Sequence, residues 1–179
     1  MTQEEFIKVL DWEGYTYKIK GDKIVVTGEG YVNLSDLTSL PPDVEFRNKD
    51  NVWLTSLTSL PPGVKFNNGG RVNLSALTSL PLGVVFKNEG TVDLGSVNTM
   101  YPGVEFRNEG DVSLRSLRAI PYDVVLSNNG DIDLRDLTMI PSRLRFNNTG
   151  NVLLKWKFDI EGIRSKEILN TMIKRKIII

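Results

Sequence analysis

The stretch that recurs along this chain is NVWLTSLTSLPPGVKFNNGG, residues 51–70. The same twenty-residue pattern occurs six times without insertion and is followed by a shortened seventh copy, the copies starting at Tyr31, Asn51, Arg71, Thr91, Asp111, Asp131 and Asn151. A fixed period of this length is the sequence signature of a repeat protein. Each full copy keeps six apolar positions, which in the quoted stretch are Val52, Leu54, Leu57, Leu60, Val64 and Phe66.

Two short alternating patterns in each copy predict strands. Val52 and Leu54 flank one outward residue, and Val64 and Phe66 flank another, which is typical of half-buried strands. Between the two pairs, Pro61 removes a backbone donor and ends the first half of the coil. After Phe66, an N-x-G sequence predicts a corner built from residues that tolerate left-handed backbone. Since one coil cannot bury its own apolar residues, we expect a mainly β protein, a parallel β-solenoid or leucine-rich-repeat-like array of six 20-residue coils.

An asparagine recurs at one position of every copy: Asn48, Asn68, Asn88, Asn108, Asn128 and Asn148. Stacked amides can donate and accept hydrogen bonds along the solenoid axis, so the column predicts a ladder that satisfies the turn. A row of amides could alternatively bind a sugar or a peptide. The ladder is favoured because the glycine two residues later is typical of a turn.

The sequence SLPPGVKFNNGGRVNL, residues 59–74, resembles short leucine-rich-repeat-like proteins encoded by bacteria and bacteriophages. The resemblance covers residues 31–154, and it implies a phage or mobile-element product that inhibits a host protein. The leucine-rich pattern L-x-L-x-x-N-x-L is not met, because Leu57 occupies the place of its asparagine. This departure favours a straight β-solenoid over a curved horseshoe.

Both ends of the chain differ from the repeat and predict caps. Thr2 and Glu5 have capping-box spacing before an amphipathic helix, and Gly21-Asp22 predicts a hairpin whose second arm is a degenerate half-coil. At the other end, a longer last strand and a helix over residues 166–176 are expected to close the final coil. The predicted parts are an N-terminal cap (1–30), the solenoid (31–154) and a C-terminal cap (155–179).

Composition narrows the function. The chain has 22 basic and 22 acidic residues, so we expect neither nucleic acid nor an anionic membrane as its partner. It contains no cysteine and no histidine, which excludes thiolate chemistry and most zinc sites. No apolar stretch is long enough to be a signal segment or a membrane span. We therefore expect a cytoplasmic protein, bacterial or made in an infected bacterium, that needs no cofactor and no metal.

Outward residues of the first predicted strand form the candidate site. They comprise an indole, two amides, a guanidinium and three carboxylates, and the predicted partner-binding residues are Trp53, Asn33, Asn73, Arg71, Asp93, Asp131 and Asp133. An exposed tryptophan is a typical anchor of a protein interface. The alternative is that the N-terminal cap covers Trp53. The sequence thus predicts a non-enzymatic module that binds another protein.

The aspartates of the later coils permit one enzymatic alternative. Asp93, Asp111, Asp131, Asp133 and Asp136 gather around the same strand, and on a β-helix paired carboxylates or a bound calcium could cleave a polysaccharide. Because Ser113, Arg115 and Arg135 alternate with them, a charge-compensated solvated face is favoured. The basic residues from Asn151 onward likewise predict a solubilising surface, with contact to a nucleic acid or an acidic partner as the alternative.

Overall fold

The structure is a computed structural model that describes residues 1–139, 145–155 and 177–178. It is mainly β, with one helix in this part of the chain and a parallel β-solenoid of about six turns spaced by about twenty residues. The predicted fold class is thereby confirmed. The expected C-terminal helix over 166–176 and the last strand beyond residue 155 lie outside the described residues.

The solenoid has two long sheets and a third, narrower side. The helix α1 (Gln3–Trp12) comes first in the chain. Sheet A contains the two strands of the N-terminal hairpin, β1 (Thr16–Lys20) and β2 (Lys23–Thr27), and then one strand from each coil: β4 (Val44–Phe46), β6 (Lys65–Phe66), β9 (Val85–Phe86), β12 (Glu105–Phe106), β14 (Val125–Leu126) and β16 (Arg145–Phe146). Sheet B contains β3 (Val32–Asn33), β5 (Val52–Trp53), β7 (Val72–Asn73), β10 (Val92–Asp93), β13 (Val112–Ser113), β15 (Ile132–Asp133), β17 (Val152–Leu153) and β18 (Ile177–Ile178). Side C contains β8 (Ser79–Leu80) and β11 (Thr99–Met100).

The register between coils is twenty residues, as the repeat predicts. Val32 pairs with Val52, and Phe66 pairs with Phe86, both in parallel. Side C was not predicted as a strand, because its sequence L-T-S-L-P was interpreted only as the end of a half-coil. In the middle coils this segment is extended enough for Leu80 and Met100 to pair.

The apolar columns fuse into one continuous core. The phenylalanine column shows this best: Phe46, Phe66, Phe86 and Phe106 are fully buried. Successive ring centroids lie 5.3, 5.1 and 5.0 Å apart, with planes within 5° of parallel. This spacing follows the distance of about 4.8 Å between neighbouring strands. Phe66 and Phe86 are therefore each stacked between the rings of the coils on either side.

The asparagine column stabilises one corner of every coil, but through a different set of bonds from those predicted. Asn88 is fully buried, and its Nδ2 donates to the carbonyl of Gly90 at 2.6 Å and to that of Gly70, one coil earlier, at 3.2 Å. Asn68 donates in the same way to Gly70 and Asp50. The ladder thus joins each amide to backbone carbonyls rather than to the next amide. Since all six asparagines are buried, the column offers no surface to a sugar or a peptide.

The corner forms where it was predicted, but its glycine is required for close approach, and its backbone is not left-handed. A Cβ built on Gly110 would overlap the backbone of Gly90 in the preceding coil. The left-handed positions lie instead after the prolines, at Gly83 with φ 71° and at Asp123 with φ 58°. Aspartate is one of the few non-glycine residues that adopt this conformation at modest cost.

The N-terminal cap matches its prediction. Thr2 and Glu5 form both bonds of the capping box, and Phe6 and Leu10 of α1 are fully buried against the solenoid. The Gly21-Asp22 turn joins β1 to β2, and β2 pairs in parallel with β4, confirming the half-coil. The Tyr15 hydroxyl bonds both the N–H and the carbonyl of Asn33, so a side chain occupies the edge of β3.

Glu45 is a buried carboxylate where the cap meets the first coil. Its residue is 2% exposed, and it accepts hydrogen bonds from Arg47 Nε at 2.7 Å and Asn67 Nδ2 at 2.6 Å, with Lys23 Nζ at 3.6 Å. Burial alone raises the pKa of this carboxyl, but the bonds from Arg47 and Asn67 outweigh burial and hold the pKa below its ordinary value. The charged form is therefore the one that the fold prefers.

We expect Glu45→Gln to lower the free energy of unfolding at pH 7 by about 2 kcal/mol, since bonds to a buried charge are lost. Because the folded-state pKa is depressed, the stabilisation by Glu45 is present above the ordinary value of 4.5 and disappears as the pH falls through the folded-state pKa. Urea unfolding at several pH values checks this, with Glu105→Gln, which is partly exposed beside Arg107, as the matched control. A difference between wild type and Glu45→Gln that persists at low pH would contradict the assignment.

The phenylalanine stack yields a second stability prediction. Phe86→Ala should lower the free energy of unfolding by about 3–5 kcal/mol, because it leaves a cavity between Phe66 and Phe106. The adjacent Lys87 is exposed, so Lys87→Ala should change it by less than about 0.5 kcal/mol. Equal shifts in denaturation midpoint for the two variants would mean that the register of sheet A is wrong.

Candidate functional site

The predicted partner-binding residues lie on the outward face of sheet B. Strand pairing places Trp53 between Asn33 and Asn73, and Asp93 beside Asn73 in the next coil. Asn33 and Arg71 are exposed, whereas the other predicted residues are half-buried: Trp53, Asn73, Asp93, Asp131 and Asp133. The structure therefore brings these residues onto one face, but most of them are only partly available to a partner.

Trp53 lies under a neighbouring cation. The Arg71 guanidinium carbon is 6.0 Å from the centroid of the indole, within the range of a cation–π interaction. The same Arg71 extends Nη2 to Asp93 Oδ2 at 2.9 Å. Arg71 is thus held between two residues of the face, and Trp53 is held beneath it. A partner that used Trp53 as an anchor would have to displace or include this guanidinium.

The amides and carboxylates of β3, β7, β10 and β15 cap their own strands. Asn73 Oδ1 accepts from the N–H of Ser75 at 3.1 Å, and Asp93 Oδ1 accepts from the N–H of Gly95 at 3.2 Å. Asn33 and Asp133 make the same bond to the second residue after them. Such Asx turns satisfy the backbone where the strand ends. These residue types are therefore explained by the turn between sheet B and side C.

The first residues of the repeat copies form a neighbouring column, whose side chains accept hydrogen bonds from the backbone of the next coil. Asn51 Oδ1 accepts from the N–H of Arg71 at 2.7 Å, and Asp111 Oδ1 accepts from that of Asp131 at 2.8 Å. Asp131 Oδ1 in turn accepts from both the N–H and the Nδ2 of Asn151. This column is a second ladder, in which a side-chain oxygen of one coil bonds the backbone one coil later.

Four of the five aspartates of the later coils are bound within the fold rather than directed at a common point, and the fifth, Asp136, is exposed. Asp133 is paired with Arg135 through two bonds, of 2.8 and 2.6 Å, which is the strong bidentate geometry. Asp93 is paired with Arg71, and Asp131 bonds Asn151. Among the residues that the structure describes, no three carboxylates come together in a way that could hold a metal ion. The face is charge-compensated by its own arginines and backbone.

A surface that sequence reasoning missed lies at side C and the corner after it. Four successive coils each place one large apolar residue in solvent: Leu82, Tyr101, Tyr122 and Met139, which are 55%, 51%, 63% and 66% exposed. We call these four residues the apolar ridge. The signal was present in the sequence, because Leu82 and Tyr122 replace the second proline of the repeat and Tyr101 replaces the first. These three were passed over because the P-P position was interpreted only as a chain break, whereas Met139 stands at the place of Ser59, on side C.

Comparison of the chain with protein-family models, with curated proteins and with solved structures found no match. The resemblance to leucine-rich-repeat-like proteins of bacteria and phages therefore stays a prediction. No helix in the described ranges is long and apolar enough to cross a membrane.

The hydrogen bonds of Asp131 predict a structural effect on substitution. Asp131→Ala should lower the free energy of unfolding by about 1–2 kcal/mol, because the N–H of Asn151 loses its acceptor. Asp131→Asn keeps an acceptor oxygen and should retain most of the stability. Thermal denaturation checks both, with exposed Asp136→Ala as the control. If Asp131→Ala is as stable as the control, the carboxylate is free for another role.

Proposed function

We propose that this chain is a non-enzymatic protein-binding module that contacts its partner through the apolar ridge. The observation that supports this most directly is that Leu82, Tyr101, Tyr122 and Met139 are each more than half exposed on successive coils. At the strand spacing of about 4.8 Å, the ridge extends for about 15 Å along the solenoid. Clustered exposed apolar residues are typical of interaction sites, and tyrosine is favoured in the energetically dominant part of interfaces.

The residues around the ridge also favour a protein partner. Pro62 and Pro102 continue the same corner, and the outward residues of side C are mostly small and uncharged, such as Ser59 and Thr99. A polar rim around an apolar centre is the usual anatomy of a protein interface. Because every coil is fixed by its neighbours, the ridge is presented without the loss of conformational entropy that a loop would incur on binding.

The ridge is preferred to the face of Trp53 because its side chains make no hydrogen bond or ion pair with any residue that the structure describes. On sheet B, Arg71 covers the indole and the polar residues bond the backbone. Binding centred on Trp53 stays a prediction, as does the inhibition of a host protein that the family resemblance implies. Polysaccharide cleavage by the aspartates is the enzymatic alternative, but no observation favours it over their pairing with arginine and backbone.

The test is partner capture from bacterial lysate by immobilised wild type and variants. Tyr101→Ser with Tyr122→Ser should weaken capture at least about thirtyfold, since each interface aromatic contributes about 1–2 kcal/mol or more. Tyr31→Ser is the matched control, because Tyr31 is 59% exposed on the first coil, away from the ridge. Circular dichroism of each variant confirms that the fold is retained.

Other outcomes of the same experiment would contradict the proposal. Capture that survives the double tyrosine substitution but is lost with Trp53→Ala would move the interface to sheet B. Sugar-chain cleavage by the wild type that is lost on Asp131→Asn with Asp133→Asn would make the protein an enzyme.

A further inference from the structure

The longest strand of the structure with a free edge is β1. It is the terminal strand of sheet A, and in the described part of the chain no other strand pairs with its outer side. Four of its five residues are exposed. Unpaired backbone along a strand is a template for another strand. The side chains on and around β1 determine whether this edge repels a second strand or binds one.

The backbone groups that face outward follow from the pairing of β2. The N–H of Ile24 donates to Asp43 and the carbonyl of Val26 accepts from Arg47, the residues on either side of β4. The alternate residues of β2 therefore face β1 and pair with its first, third and fifth residues, Thr16, Lys18 and Lys20. The remaining two residues of β1, Tyr17 and Ile19, therefore direct their N–H and carbonyl groups away from the sheet. An added strand would find two donors and two acceptors in the spacing of a regular ladder.

The side chains of β1 favour an acidic partner strand. Lys18 and Lys20 lie on the outward face of the sheet, are exposed and make no ion pair in the described part of the chain. Lys20 lies directly opposite Lys23, and the nearby carboxylate of Glu45 is already bound to Lys23 and Arg47. On the opposite face, Ile19 is 59% exposed. A partner strand in which carboxylates alternate with apolar residues would match both faces of β1.

We propose that the outer edge of β1 is a docking site for an extended acidic segment of a partner protein, which adds to sheet A as a further strand. Strand addition is a recurring mode of peptide recognition, in which the backbone provides affinity and alternate side chains provide specificity. A second copy of this chain is disfavoured, because antiparallel pairing of two β1 edges would place four lysines on one face. The site is separate from the apolar ridge and goes beyond the proposed function.

The experiment uses the full chain, isotope-labelled for NMR, and a blocked peptide of sequence Glu-Val-Glu-Val-Glu, with Lys-Val-Lys-Val-Lys as the control. The acidic peptide should shift the amide signals of Tyr17 and Ile19 and slow their hydrogen exchange, and the basic peptide should do neither. Lys18→Glu with Lys20→Glu should reverse the preference between the peptides. Tyr101→Ser with Tyr122→Ser should bind the acidic peptide as the wild type does.

A backbone variant separates strand addition from simple charge attraction. Among the backbone groups of β1, Ile19→Pro removes only an outward N–H and no hairpin bond, so it should weaken binding about fivefold or more while both lysines remain, and Ile19→Ala, which keeps the N–H, is the control for the lost side chain. The proposal is overturned if the acidic peptide leaves the Tyr17 and Ile19 amides unprotected, which would make the lysines a protective edge only. It is equally overturned if both peptides bind alike, or if the chain sediments as a dimer that Ile19→Pro dissociates.

Discussion

Parallel hydrogen bonding between backbone segments twenty residues apart is the constraint on which the rest of this structure depends. The pairing of Val32 with Val52 sets a register that every later coil repeats. Once that register is fixed, identical side chains must lie above one another, and each position of the repeat becomes a column with one environment. The stacked phenylalanines and the buried asparagines are both consequences of this geometry. An insertion within a paired strand would put the columns of that coil out of register with those of its neighbours.

The same constraint limits where function can lie. Inward columns are filled by the core, and polar columns such as those of Asn73 and Asp131 are occupied by bonds to the backbone. The positions left for recognition are those where the repeat departs from its own pattern. Tyr101 and Tyr122 replace prolines at one corner, and β1 stands outside the repeat with its edge unpaired. A binding site is therefore expected where the repeat departs from its pattern and not along its regular faces.

The twenty-residue period made most of the fold predictable from the sequence. The apolar columns predicted both long sheets, and the match of Ile24 to Val44 predicted the half-coil of the cap. What the sequence did not reveal depended on distances between coils. The corner glycine is required because the backbone of Gly110 meets that of Gly90, and no local turn rule contains this information. The roles of Asn73 and Asp93 were missed for a related reason. The sequence shows that these polar residues point outward, but it does not show that their side chains accept hydrogen bonds from the backbone two residues later.

The stacked phenylalanine rings and the hydrogen bonds of the asparagine corner connect each coil only to the coils beside it. Under a stretching force applied at the chain ends, such a molecule should yield by peeling rather than by a single global rupture. Each released coil would lengthen the chain by roughly 7 nm at about 3.5 Å per residue. The solenoid would then act as a stepwise extensible tether, whose mechanical unit is the twenty-residue repeat itself.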